Sequence, residues 1–158
     1  MEKLKWCLGA KNGIELIEPN DNLAAVYAKK ADDALCAVAM LRGNRDWEIS
    51  SCYYAMYFGL YSVLMKAGIK CENHSCSIEC MGIFLAYFSA EDMLLLKNAM
   101  KSRIDAQYYV NRNVSEERYH SMSKAAPSFI AKCADVRLRL KEKEINTLRE
   151  SLKKMKRG

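Results

Sequence analysis

A run of apolar residues between Cys52 and Met65 constrains the fold of this chain more than any other segment. Gly59 and Ser62 are its only interruptions, so a helix built from it is apolar in nearly every direction. Such a helix lies at the centre of a bundle or is shared between two subunits. The run is also shorter than the roughly 20 apolar residues that a membrane-spanning helix needs. The sequence therefore predicts a buried helix at the core of the protein and no association with a membrane.

Helix propensity is high along the rest of the chain, because only two prolines and seven glycines interrupt a sequence rich in good helix formers. Asp46 and Ser89 are predicted N-caps, Ser89 as part of a capping box. The predicted helices are 21–42, 47–67, 75–87, 90–110, 115–140 and an appended helix from about 145. We expect a loop at 69–74, no sheet in the bundle and, in particular, no strand pair within 21–140. The predicted fold class is all-α, an antiparallel up-and-down helical bundle of four to five helices.

Positive charge is concentrated at the C-terminal end. Residues 137–158 contain nine basic and three acidic residues, a balance of +6, which equals the net charge of the whole chain. Such an arm attracts nucleic acid or an acidic protein surface, but no aromatic residue interleaves its charges, so a solvated helical tail is the preferred interpretation. We divide the chain into an N-terminal segment at 1–20, a helical bundle at 21–142 and a basic C-terminal helical extension at 143–158.

The seven cysteines are odd in number and scattered over several predicted helices, which is not the pattern of a disulfide framework. Free thiols and a cytoplasmic, reducing setting are the simplest interpretation. Cys71, His74, Cys76 and Cys80 are close in sequence, yet they lack the Cys-x-x-Cys spacing of common zinc sites. We therefore expect no metal and no cofactor.

Arg103 lies on the apolar side of its predicted helix. At 100° per residue, Leu96, Ala99 and Gln107 fall within the same arc. A guanidinium placed there either pairs with buried polar groups or faces a cleft. The tyrosines of the apolar helix leave a similar choice open, since they form either a stacking surface for a base or a core or subunit interface.

Two segments of the chain resemble the HEPN superfamily over roughly residues 20–140. The first is the Ser-x-Tyr-Tyr-Ala-Met run at 51–56, which is followed past the loop by His74, and the second is Arg103-x-x-Ala-Gln-Tyr at 103–108. The resemblance implies a HEPN-like helical bundle, a homodimer and a role with nucleotide or RNA. It also implies that the binding residues are Arg103, Gln107, Tyr108, His74 and Tyr54.

In HEPN ribonucleases a histidine follows the functional arginine at the positions that Gln107, Tyr108 and Tyr109 occupy here. Because this chain has no histidine there, binding or assembly is favoured over catalysis. The resulting hypothesis is an interaction module, a homodimer that works with a minimal nucleotidyltransferase in a toxin–antitoxin-like pair. The alternative is a metal-independent endoribonuclease that cleaves single-stranded RNA with Arg103 as a catalytic residue.

Overall fold

The computed structural model describes residues 2–157, and in this range the chain is mostly helical, as predicted. Seven α-helices are joined by short connections, and two short strands form the only sheet of the described residues. The elements in chain order are α1 (Glu2–Gly9), β1 (Ile14–Leu16), α2 (Asp21–Met40), α3 (Arg45–Lys66), β2 (Ile69–Cys71), α4 (His74–Glu79), α5 (Ala90–Tyr108), α6 (Glu116–Arg139) and α7 (Glu142–Arg157).

The helix α3 forms the centre of the core. It packs against α2, α5 and α6, and it buries more residues than any other helix, which confirms the prediction from its apolar sequence. The predicted seam of α6 is also confirmed, since its buried residues alternate spacings of four and three: Met122, Ala126, Phe129, Cys133 and Val136.

Local capping determines most helix ends. The Asn20 side chain accepts a hydrogen bond from the amide of Leu23 at the start of α2, and Ser89 forms the predicted capping box at the start of α5. Gly68 follows α3 in the left-handed region with φ of 68°, which a glycine adopts without steric cost. The prediction that Asp46 caps α3 is wrong, because that helix begins at Arg45, two residues before the predicted start, and Asn44 occupies the capping position.

Two short segments depart from the predicted elements. The helix predicted at 75–87 ends at Glu79 and continues only as a 3₁₀ turn at Cys80–Ile83. The predicted loop after Gly68 contains β2, which pairs antiparallel with β1, so the prediction of a bundle with no sheet is wrong, although β1 lies outside 21–140. Each strand has three residues, too few to show an alternating pattern, and the pairing joins segments that are far apart in sequence.

The N-terminal helix α1 packs on α4, and this contact places Cys7 and Cys76 with their Cα atoms 5.5 Å apart. The two cysteines form a disulfide, so the prediction of free thiols is wrong for this pair. They are 69 residues apart, and sequence spacing carries no information about such a contact. The free thiols in the described part of the chain are Cys36, Cys52, Cys71, Cys80 and Cys133.

The basic C-terminal segment forms α7, whose apolar stripe packs on the core. Ile145 and Leu152 are buried, and the Arg149 guanidinium donates to the carbonyl oxygens of Ile17 and Gly68. These contacts anchor α7 to the chain segments that flank the sheet. No helix within residues 2–157 combines the length and apolarity that a membrane span requires.

Candidate functional site

Arg103 lies in the C-terminal half of α5 and is partly buried against α3. Its Nη2 donates a hydrogen bond to the Tyr54 hydroxyl at 2.8 Å. Its Nε is buried and has no hydrogen-bond partner among residues 2–157. A buried donor without a partner is costly, so this guanidinium retains hydrogen-bonding capacity that its own surroundings do not use.

Aromatic rings surround the Arg103 guanidinium. Its Cζ lies 5.4 Å from the ring centroid of Tyr54, 5.6 Å from that of Tyr108 and 5.8 Å from that of Tyr53. Rings at these distances stabilise a cation through their quadrupoles without neutralising its charge. Because Tyr108 is 65% exposed, this side of the cluster is open to solvent.

Arg103 differs from several other arginines in its ionic contacts. Arg45, Arg112, Arg118 and Arg139 each lie within 4 Å of a carboxylate oxygen. No carboxylate within residues 2–157 lies at that distance from Arg103. The Arg103 charge is therefore held by tyrosines alone and is available to an anion.

His74 joins the same cluster from the first turn of α4. Its Nδ1 and the Tyr53 hydroxyl are hydrogen-bonded at 2.7 Å, and its ring stacks on Tyr57 with centroids 4.0 Å apart. Burial, and secondarily the charge of Arg103, lower the pKa of His74. The imidazole is therefore neutral near pH 7.

Of the other four predicted binding residues, the structure brings three close to Arg103 and separates one. Tyr54, His74 and Tyr108 lie in the cluster, whereas Gln107 is exposed and lines a neighbouring cavity. Gln107 has nearly the same angular position as Arg103 but lies one helical turn further along α5. The helical repeat of 100° per residue correctly predicted the side of α5 on which Gln107 lies, but it did not predict which residues surround Gln107.

Sequence reasoning did not identify the polar pair on the other side of α5. The Asp105 side chain is only 7% exposed, and its Oδ2 accepts hydrogen bonds from Arg118, which also donates to Ser102. Polar residues at helical spacing on α5 indicate a second polar face. Only the position of α6 in the structure shows which residues that face contacts. This pair holds α6 against α5 beside the candidate site.

The arrangement is suited to holding an anion near a neutral imidazole. No group of three or more His, Cys, Asp or Glu residues within 2–157 is placed to hold a metal ion, and Cys76 is committed to its disulfide. No protein-family model and no curated protein matches the chain.

Proposed function

We propose that this chain is a binding module of the HEPN type, a helical bundle that recognises nucleotide or RNA through Arg103. One observation carries the proposal: the Arg103 guanidinium is partly buried, has no carboxylate partner within residues 2–157 and keeps an unused Nε donor. A phosphate supplies acceptor oxygens for the unused donor and a negative charge opposite the guanidinium.

The neighbouring side chains favour phosphate as the anion. A guanidinium forms two parallel hydrogen bonds with a phosphate, which gives both affinity and orientation. Tyr54 holds the guanidinium from one side, and the exposed Tyr108 ring offers a face on which a base can stack. His74, being neutral, can donate or accept a hydrogen bond without opposing the anion.

The proposal includes a homodimer. Trp47, Tyr54 and Phe58 follow one another at helical spacing on the least buried side of α3, and Trp47 is 56% exposed. A second subunit packed on this aromatic side buries it and places two Arg103 clusters near each other. Sedimentation as a monomer at all micromolar concentrations contradicts the dimer.

The proposed partner is a minimal nucleotidyltransferase in a toxin–antitoxin-like pair, as the HEPN resemblance implies. The proposed setting is the cytoplasm, where nucleotides and RNA are present. Co-purification with the product of a neighbouring nucleotidyltransferase gene tests the pairing.

The binding proposal is tested by Arg103→Lys, because an ammonium cannot reproduce the guanidinium fork. We expect calorimetric affinity for adenosine monophosphate to fall by about tenfold or more. Arg139→Lys is the matched control: Arg139 also lies 5.4 Å from a tyrosine centroid, but it is paired with Asp135, and its replacement leaves the affinity unchanged. A lower melting temperature in Arg103→Lys with unchanged affinity shows a structural role and overturns the proposal.

A second candidate function is metal-independent cleavage of single-stranded RNA, which the position of His74 favours. In this reaction the neutral ring takes the proton of a ribose 2′-hydroxyl as that oxygen attacks the adjacent phosphorus. The 5′-oxygen then leaves and is protonated by solvent, while Arg103 stabilises the charge on the phosphate oxygens. Cleavage of single-stranded RNA in EDTA that is lost in both Arg103→Ala and His74→Ala supports catalysis over binding alone.

A further inference from the structure

A cavity of about 390 Å³ lies next to the Arg103 cluster, between the N-terminal end of α3 and the C-terminal end of α5. Gln107 and Tyr108 line it from α5, Asp46 lines it from α3, and Tyr109 and Asn113 line it from the segment that follows α5. Tyr108 borders both this cavity and the Arg103 guanidinium. The cavity and the cluster therefore adjoin each other at Tyr108.

The two arginines that line this cavity are already paired with carboxylates. Arg45 pairs with Glu116 at 3.0 Å, and Arg112 lies 3.6 Å from Asp105. The Asp46 carboxylate adds a negative charge to the lining. Because both arginines of the lining are paired with carboxylates, the cavity does not suit a second phosphate. Its lining favours an uncharged group.

Two amide side chains line the cavity, those of Gln107 and Asn113. Neither Gln107 nor Asn113 has a side-chain hydrogen bond within residues 2–157, and both are exposed. A side-chain amide offers a donor and an acceptor side by side, which matches the edge of a nucleobase and of adenine in particular. Tyr109, which stacks under the Arg112 guanidinium at 3.9 Å, adds an aromatic wall.

We propose that this cavity is the base-binding half of a nucleotide site whose phosphate-binding half is Arg103, an inference that rests on the proposed function. Gln107 lies one helical turn beyond Arg103, about 6 Å along the helix axis, a separation that one ribose can bridge. The ligand is then a nucleoside monophosphate unit, either free or at the end of a strand. Gln107 and Asn113 are its specificity-determining residues.

Calorimetric titration of the full chain with adenosine monophosphate and with ribose 5-phosphate tests the inference. We expect the nucleotide to bind about tenfold tighter or more, because only it occupies the cavity. Gln107→Ala and Asn113→Ala should remove this difference and leave ribose 5-phosphate affinity unchanged. Asn111→Ala, an exposed amide outside the cavity lining, is the matched control and should keep the difference.

The two proposals fail in different ways. Equal affinity for the two ligands, with both lost in Arg103→Lys, overturns the base site and leaves the phosphate site standing. No binding of either ligand overturns both. A 5′-phosphorylated tetra-adenylate titrated in parallel shows whether the ligand is a free nucleotide or the end of a strand. Tighter binding than that of the mononucleotide assigns the site to a strand end. Equal binding assigns it to a free nucleotide. Tighter binding of adenosine monophosphate that persists in both Gln107→Ala and Asn113→Ala refutes the base site.

Discussion

Replacing Asp105 with asparagine tests how the polar face of α5 holds the candidate site together. The Asp105 side chain is 7% exposed, and Arg118 donates to its Oδ2 from Nη2 at 3.3 Å and from Nη1 at 3.4 Å. Arg112, which lines the cavity, lies 3.6 Å from the other oxygen. The change to Asn preserves shape and removes the charge that both arginines face.

The magnitude follows from how exposed the partners are. Breaking a fully buried ion pair costs about 3 to 5 kcal/mol, but the Arg118 side chain is 38% exposed and that of Arg112 is 55% exposed, so solvent screens part of the lost interaction. We expect Asp105→Asn to lower the free energy of unfolding by about 2 kcal/mol. For a chain of this size that corresponds to a decrease of about 4 to 8 °C in melting temperature.

Urea unfolding followed by circular dichroism measures the change, with Asp135→Asn as the control. Asp135 also pairs with an arginine, but it is 57% exposed and its partner Arg139 is 63% exposed, so the control should cost less than about 0.5 kcal/mol. An Asp105→Asn variant as stable as this control refutes the inference that the buried carboxylate anchors α6 and Arg112 to α5.

Three further predictions concern the cluster and α7. Tyr54→Phe removes the 2.8 Å hydrogen bond to Arg103 and should lower the free energy of unfolding by about 1 to 2 kcal/mol in urea titrations; no change shows that the bond is not formed in solution. Burial lowers the pKa of His74 from its ordinary value of 6.5, so the unfolded chain binds that proton more tightly and stability should decrease as the pH falls from about 7 to about 5. His74→Gln should flatten this pH dependence, whereas the same change at the exposed His120 should leave it intact. Arg149→Met leaves the carbonyl oxygens that Arg149 contacts without their donor and should cost about 2 kcal/mol by thermal melting; wild-type stability shows that α7 is not anchored there.

The sequence alone was sufficient for those parts of the fold that depend on local interactions. The apolar run from Cys52 to Met65 predicted the most buried helix, and Ser89 predicted a capping box that the structure contains. The apolar periodicity of α6 identified the residues that it buries. The capping box forms within one helical turn, and the apolar pattern of each helix indicates which of its sides is buried, so residue order predicts these features.

Helical periodicity also indicated that Arg103 lies on the side of α5 that packs on α3, but it did not identify the residues around it. The same rule placed Gln107 with Arg103, although the structure assigns Gln107 to the adjoining cavity. The predicted helix also extended to residue 110, although α5 ends at Tyr108 and Val110 is fully exposed. A helical repeat gives the angular position of a side chain around the helix axis, but it does not identify the residues that surround it. It does not apply beyond the end of the helix.

Only the tertiary structure decided which distant segments meet. The packing of α4 beside α3 and α5 places His74 near Arg103, the docking of α1 joins Cys7 to Cys76, and the pairing of β1 with β2 closes the N-terminal segment onto the core. Each of these contacts joins residues far apart in sequence, and their formation depends on how whole helices fill the space around α3. The sequence determined the helices and the chemistry they carry, and packing determined that a neutral histidine, three tyrosines and a guanidinium without a carboxylate partner in residues 2–157 form one cluster.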